Sequence, residues 1–414
     1  MAARPILIDT TRLLTRLRHA APSGIDRVDL AYARRFLGGQ PDRRGVAITP
    51  RGARLVPPDR IRQLMTLIGG RWREEIAAAD DPALERLRER LAGGDRPVPA
   101  PGRPRSLPRI DPVETLFRLA ALRWPEAATA PEGSIYVHTS HLRLDRPERF
   151  AWLDRRPDVK PVFFVHDLIP IDFPEYGVPG EAARHRTRMQ TVARHAAAVL
   201  ANSADVARRF SDHCAREGWR RPPVAVAPLG VEGAFLAEPP AFRAARPYYV
   251  VCSTIEARKN HLMLLQVWRE LAGALGPDCP ALVIVGRRGW EAEAAIDLLD
   301  RCPAIAPHVI EAPGLSTPAL AELVRGARAL IMPSFAEGYG IPVVEALSLG
   351  TPVIASDIPV HREIAGDRAT FVHPLDGPGW RSAVTREPVR PAAGYGPPTW
   401  EAHFRIVDEV LAAL

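Results

Sequence analysis

The sequence predicts an α/β protein built from two Rossmann-like domains that face each other across a deep cleft. Three observations predict it. The chain has 414 residues, more than one hydrophobic core usually serves. Short apolar runs rich in β-branched residues alternate with stretches of helical period, the pattern of a parallel, doubly wound sheet. The alternation also runs through both halves, with the stretch PAFRAARP at 240–247 between them as the expected link. The expected organisation is a first domain over 1–238, a second over 239–394, and a closing amphipathic helix over 395–414 that packs back on the body.

In the first half, the runs at 5–9, 45–49, 134–139, 160–167, 197–202 and 223–228 read as buried strands. SGIDRVDLAYARRFL reads as a helix, with Ile25, Val28, Leu30, Ala31 and Phe36 near one face. Ser203 is placed to cap the helix that begins at Ala204, with Asp205 in the first turn where it complements the helix dipole. The stretch 93–113 is dense in Pro, Gly and Arg and can continue neither a helix nor a central strand, so it reads as an exposed loop. In the second half, strands are expected at 248–253, 281–286, 308–311, 329–334 and 352–356. Helices fill the gaps between them, and Pro318 suits the first turn of one.

Composition excludes several classes. Hydrophobic residues make up 46% and charged residues 25%, as in an ordinary soluble globular protein. No apolar run reaches the roughly 18 residues that span a bilayer, and the opening MAARPILIDTTRLL lacks a signal-peptide core. A cytoplasmic location is the expectation. The four cysteines Cys214, Cys252, Cys279 and Cys302 form no CxxC pair, so neither a disulfide frame nor a structural zinc site is indicated. The net charge is +7, but the arginines are spread along the chain and no nucleic-acid motif is present. Among 55 basic residues only two are lysines, Lys160 and Lys259. Lysine is a compact point charge, and Lys259 lies inside a motif.

The segment carrying most chemistry is PSFAEGYGIPVVEALSLGTPVIAS, residues 333–356. A strand ends near Ser334, a loop bears Glu337, Gly338, Tyr339 and Gly340, and a helix begins near Ile341 with Pro342 in its first turn. The free N–H groups of that helix start form an anion site, and Gly338 and Gly340 let a phosphate come close. Glu337 on the loop and Glu345 one turn into the helix repel phosphate but accept hydroxyl hydrogen bonds. The arrangement suits a nucleotide sugar, with ribose on one carboxylate and the donor sugar on the other. The plainer alternative is a glycine turn with two solvated glutamates. No Asp-x-Asp occurs to hold a divalent cation on a diphosphate, so positive charge is expected from side chains and no metal site is expected. No GxGxxG follows the first strand, which argues against a dinucleotide oxidoreductase.

Glu337 and Glu345 form a Glu-x7-Glu pattern, and the segment around them strongly resembles the retaining glycosyltransferases of family four. TIEARKNHLMLLQVW, LVIVGRRGW, PGLSTPALAELVRGARALIMPS, VHDLIPIDFPEY, ANSADVARRF and VAPLGV extend the resemblance over most of the chain from about residue 134; TTRLL and SGIDRV carry it weakly before that. Bacterial mannosyl- and rhamnosyltransferases of polysaccharide and O-antigen assembly look most similar. The resemblance implies a GT-B fold and transfer of a hexose from a nucleotide diphosphate sugar to a hydroxyl with retention. By the same resemblance Arg258 and Lys259 hold the diphosphate, Glu345 the ribose and Glu337 a donor-sugar hydroxyl. His166 contacts the transferred sugar near the reacting carbon. Gly24, in a loop after the first strand, lies against the phosphates or acceptor; Leu315 lies in the loop that meets the base; Tyr339 and Ile341 complete the donor-lining stretch. His166, Glu337 and Lys259 are the expected catalytic residues. Many members carry one more arginine where this chain has Ser253.

GDP-mannose is the first expectation for the donor, with UDP-glucose open. A glycan or a polyprenyl-linked glycan is the expected acceptor, and nucleic acid is not an expected partner. A lipid-linked acceptor would bring the first domain to the inner membrane, where Arg12, Arg16, Arg18, Arg34 and Arg35 are the charges to meet anionic lipid; a solvated face is the commoner meaning. Arg287, Arg288 and Trp290 read as an exposed turn, and His361, Arg362 and Glu363 as a helix flank. Two other functions remain open from sequence: a sugar-nucleotide epimerase on the same fold, and a non-catalytic sugar-nucleotide-binding protein.

Overall fold

Thirteen strands among the described residues form two sheets, and the computed structural model describes residues 4–17, 24–38, 42–72, 77–92, 111–389 and 394–414. In chain order the first sheet holds β1 (Ile6–Asp9), β2 (Arg43–Thr49), β3 (Gly52–Val56), β4 (Ile135–His138), β5 (Lys160–Val165), β6 (Ala198–Ala201) and β7 (Val224–Val226). The second holds β8 (Tyr248–Cys252), β9 (Ala281–Val285), β10 (Val309–Glu311), β11 (Ala329–Met332), β12 (Val353–Ser356) and β13 (Thr370–Val372). Their orders are β3-β2-β1-β4-β5-β6-β7 and β10-β9-β8-β11-β12-β13. All neighbours are parallel except β2 and β3. Both sheets therefore have a doubly wound order, in which ligands bind at the carboxyl ends of the strands where the order reverses.

Every expected strand is present, most of them trimmed at an end, while β2 starts two residues earlier than expected, at Arg43. Two strands escape the sequence reading. β3 closes a tight hairpin on β2 through Gly52, whose φ of +96° needs glycine. β13 is only three residues long, too short for a period to show. The strands are apolar on both faces because helices cover both. Ser203 does cap the helix Ala204–Glu217, its hydroxyl accepting from the Val206 N–H at 3.2 Å, and Pro318 sits in the first turn of the helix Thr317–Gly326.

The two halves exchange pieces. The closing helix Trp400–Ala412 lies on the first domain, with Phe404, Val407 and Leu411 buried among Tyr32, Phe36 and β-strand side chains. Each such side chain contributes roughly 1.5–3 kcal/mol on burial. Tyr32 Oη and His403 Nε2 are 2.9 Å apart in that contact. In the other direction, the short turn Ala78–Asp80 and the helix Pro82–Leu91 come from the first half of the sequence, yet Ala78, Leu84, Leu87 and Leu91 are buried in the core of the second sheet. Asp81 fastens this strap: one carboxylate oxygen caps its own helix at Ala83 N–H, 2.8 Å, and the other accepts from Ser316 N–H at 2.6 Å. The segment 240–247 also rests on the second sheet, with Phe242 buried there.

Residues 93–110 of the expected Pro/Arg-rich loop lie outside the described residues, but its end does not continue as loop: Asp111 caps a helix, Pro112–Ala121. Arg18 of the arginines considered for a lipid surface also lies outside them. The membrane expectation is corrected for two others. Arg12 and Arg16 turn inward to Asp26, at 2.5 and 3.3 Å, because Asp26 is buried and needs counter-charge. No helix among the described residues is long and apolar enough to cross a membrane.

Candidate functional site

The carboxyl ends of β8 and β11 meet at one cluster of charge. After β8 the chain enters a single 3-10 turn, Ala257–Lys259, that stops at Asn260. Asn260 has φ +57° and its amide donates to the Pro333 and Pro374 carbonyls at 3.1 and 2.8 Å. This anchors the turn so that Arg258 and Lys259 project together toward the loop after β11. The Phe335 N–H donates to the Arg258 carbonyl at 2.9 Å and ties the two loops.

Glu337 receives both cations. Lys259 Nζ is 2.5 Å from its Oε1, and Arg258 Nη1 is 2.9 Å from its Oε2. Arg258 also donates to the Ala336 carbonyl at 2.7 Å and to Glu256 at 2.6 Å. Burial pushes the Glu337 carboxyl up, but Lys259 and Arg258 beside it outweigh that and hold it well below the usual carboxylate range. Burial and the neighbouring Arg258 bring the Lys259 ammonium below its ordinary value, against the pull of Glu337. His261, buried beside Lys259, is pushed down to about 3 and is neutral. Two cations and two carboxylates thus close on each other in a largely buried site, where charge is strongly felt.

The helix Ile341–Ser348 starts beside this cluster. Gly340 has φ +100°, and a side chain there would meet Ile364 and the His361 ring at 3.0 and 3.4 Å. Only glycine allows the chain to turn into the helix at that point. Glu345 is buried one turn in. Burial pushes its carboxyl up to about 7, despite Arg27 next to it.

The first domain closes over the same place. His166 follows β5, buried, and its carbonyl is so near Gly338 that a Cβ on Gly338 would lie 2.2 Å from it. The His166 ring donates through Nε2 to the Thr139 carbonyl at 2.6 Å, while the Thr139 hydroxyl donates to Asp29 at 2.6 Å. Burial pushes the His166 imidazole down to about 4. It is therefore neutral near pH 7, with Nδ1 left as an acceptor. Gly24 approaches from the same side: a Cβ there would be 3.1 Å from Ile341 Cδ1. It is the first residue of a helix, Gly24–Phe36, rather than part of a loop.

The structure brings His166, Gly24, Arg258, Lys259, Glu337, Gly338, Gly340, Ile341 and Glu345 to one seam. Two expected residues stand apart in their side chains. The Tyr339 ring is buried in the first-domain core and its hydroxyl donates to the Leu229 carbonyl at 3.2 Å, so only its backbone faces the loop. Leu315 lies after β10 and packs on the second-domain core beside Ser316, which Asp81 holds. Ser253 turns toward His261, 3.4 Å away.

Several residues here were missed from sequence. Arg27 crosses from the helix Gly24–Phe36 to Glu345, Nη1 to Oε1 3.0 Å. Glu363, read as a helix flank, accepts from the Ala204 and Asp205 N–H groups at 2.6 and 3.0 Å, capping a first-domain helix from the second domain. His361 is fully buried behind Gly340, with Nδ1 donating to the Ser356 carbonyl at 3.0 Å. Tyr176 stacks on Phe335 across the seam, centroids 5.4 Å apart at 9°. Arg288 is not an exposed turn residue: it is buried between Asp300 and Glu311, at 2.6 and 2.7 Å. Among the described residues, no three or more His, Cys, Asp or Glu side chains are grouped to hold a metal ion.

Comparison with known proteins agrees with this fold. The family Glycosyl transferases group 1 matches residues 236–375. The serotype-specific mannosyltransferase WbdA of Escherichia coli is 32% identical over 228 residues, 50% of this chain and 27% of that protein. The O-antigen chain mannosyltransferase RfbU of Salmonella typhimurium is 50% identical over 58 residues, 14% of this chain and 16% of that one. The aligned part spans about a quarter of the length of WbdA. Among solved structures, Anabaena Alr3699/HepE in complex with UDP and glucose is similar over 99% of this chain and 100% of its own, with TM-score 0.60 and 14% identity. A UDP-forming trehalose-phosphate synthase from Burkholderia xenovorans is similar over 72% of this chain and 73% of its own, with TM-score 0.50 and 15% identity. Residues 236–375 thus match the glycosyl transferases group 1 family, and the fold is GT-B, with two facing Rossmann-like domains.

Proposed function

We propose that this protein is a retaining hexosyltransferase that moves a sugar from a nucleotide diphosphate donor to a hydroxyl of a glycan, free or lipid-linked. One observation carries the reading: Lys259, Arg258 and Glu337 form a buried cluster at the start of the helix Ile341–Ser348, with His166 pressed against it from the other domain.

The donor diphosphate sits at the helix start, between Arg258 and Lys259. Glu345 accepts ribose hydroxyls. Glu337 keeps lone pairs beyond those used by its two cations and accepts a donor-sugar hydroxyl. Neutral His166 accepts a further hydroxyl through Nδ1 and is not an acid near pH 7. In the reaction the bond from the anomeric carbon to phosphate oxygen breaks and the bond to the acceptor oxygen forms on the same face. The acceptor proton passes to the departing phosphate oxygen. Negative charge grows on the diphosphate, and fixed cations in a dry cleft stabilise it.

Mannose is the sugar proposed first, from the names of the O-antigen relatives, and GDP the first nucleotide. UDP is the second, because the neighbour similar over its whole length was solved with UDP. The test is a thermal-shift panel of nucleotides and nucleotide sugars, followed by a transfer assay with the stabilising donor. A binding nucleotide sugar whose sugar appears on an added glycan supports transfer. Acceptor-free conversion of the donor would show an epimerase instead, and failure to bind any nucleoside diphosphate would end the proposal.

A further inference from the structure

The charge at the diphosphate position does not balance within the second domain. Arg258 and Lys259 are already matched by Glu256 and Glu337, so a diphosphate adds two or more negative charges to a cluster that is neutral without it. The helix start offsets only about half a charge. The further cation within reach is Arg27, itself paired with Glu345.

Arg27 reaches over from the first domain. Its guanidinium pairs with Glu345 at 3.0 Å, and both side chains are largely buried. The helix that bears it starts at Gly24, against Ile341, so the starts of two helices converge on one gap. Cys252, at the carboxyl end of β8 and next to Ser253, senses the charges of both Glu345 and Arg27. From Glu345 back to Ile341 is four residues, or about 6 Å along the helix. An arginine side chain spans that distance by changing rotamer.

We propose that Arg27 is a diphosphate-binding residue supplied by the first domain, parked on Glu345 until ribose hydroxyls take that carboxylate. The inference rests on the nucleotide-sugar reading above. It goes beyond that reading in placing a first-domain cation on the diphosphate: the ribose takes Glu345, and the arginine then joins the domains through the diphosphate. A buried ion pair is expensive to desolvate and gains little net stability, so exchanging it for ribose on one side and diphosphate on the other is a small step. Arginine suits the role because its planar fork meets two phosphate oxygens at once.

The experiment is calorimetric titration of the full chain with UDP and GDP, and with uridine and guanosine. The proteins are wild type, Arg27→Ala, Arg27→Lys, Glu345→Gln and Lys259→Ala. Arg27→Ala is expected to weaken the diphosphates by roughly 10-fold or more, while the matching nucleoside binds unchanged or more tightly, since it no longer competes with a guanidinium. Arg27→Lys is expected to recover part of the diphosphate affinity. Glu345→Gln should show the opposite signature, with weaker nucleoside binding and the phosphate contribution kept; it serves also if Arg27→Ala does not fold. Equal losses for nucleoside and diphosphate in Arg27→Ala mean that Arg27 only holds the seam, and overturn the proposal. So does an unchanged diphosphate affinity while Lys259→Ala loses it, a result that leaves the nucleotide-sugar reading standing. Wild-type protein that binds none of these ligands overturns both.

Discussion

Lys259 Nζ lies 2.5 Å from Glu337 Oε1, and the same carboxylate takes Arg258 on its other oxygen at 2.9 Å. The pair joins the turn after β8 to the loop after β11, so the two strands at the switch point deliver one preorganised charge cluster. A carboxylate held between two cations stays ionised, and the cations stay aimed where a leaving phosphate would gather charge.

Replacing Lys259 with Ala should cost about 3 kcal/mol of transition-state stabilisation, or roughly 150-fold in kcat/KM, by analogy with loss of one preorganised oxyanion donor. Steady-state kinetics with the donor found in the thermal-shift panel measures this. Wild-type kcat/KM in the variant would remove Lys259 from the chemistry.

Glu345 gives a pH signature. Its carboxyl is raised from the ordinary 4.5 to about 7, by burial first, with Glu232 adding and Arg27 opposing. The folded protein therefore holds a proton there that the unfolded chain has lost between pH 4.5 and 7. This contribution favours the folded state below pH 4.5 and is lost as pH rises through 7, on the order of 3 kcal/mol in all. His166, His261 and His403 are shifted down by burial and act in the opposite sense, raising stability as pH climbs toward 6.5. Only the difference between proteins isolates Glu345. Glu345→Gln should gain stability relative to wild type between pH 5 and 8 in denaturant unfolding. Parallel pH profiles for the two proteins would contradict the raised carboxyl.

What could be read from sequence follows the range of the interactions. The loop and helix of 337–345 were legible because a helix start is written locally, in Gly340, Pro342 and the spacing of two glutamates. Ser203 was legible as a cap for the same reason. The pairing of Arg27 with Glu345 spans 318 positions and leaves no periodic trace. The bond from Glu363 to the Ala204 N–H spans 159, so Glu363 read only as a polar residue on a helix. The strap Pro82–Leu91 shows an apolar stripe in its sequence, but a stripe does not say which sheet it will cover. Tyr339 sits in the middle of the motif, and nothing local shows that its ring turns into the other domain.

Glu363 makes the seam testable without touching the donor cluster. Its carboxylate caps the helix Ala204–Glu217 alongside Ser203, at 2.6 and 3.0 Å from two N–H groups. A negative charge at a helix start is favourable for both hydrogen bonding and dipole reasons. Glu363→Ala should lose about 1 kcal/mol of stability and loosen the closed arrangement, read as a larger radius of gyration by X-ray scattering of the nucleotide-free protein. Scattering and unfolding curves that match wild type would mean the contact holds nothing together.

Gly338→Ala separates positioning from binding. An added Cβ would fall 2.2 Å from the His166 carbonyl oxygen and 3.0 Å from the Asp167 Cβ, so the loop after β11 or the His166 loop must move. Both contacts involve main chain or its first side-chain atom, and neither can swing away. A displacement near 1 Å at a reacting centre costs roughly 100-fold in rate, so kcat should fall by about that factor. Nucleotide affinity should change by only a few-fold, because Arg258, Lys259 and Glu345 are anchored through other contacts. Gly377→Ala, where a Cβ meets nothing within 4 Å, is the matched control and should keep wild-type kcat. If Gly338→Ala retains wild-type kcat as well, the close approach of His166 to the 337–340 loop is not part of the catalytic geometry.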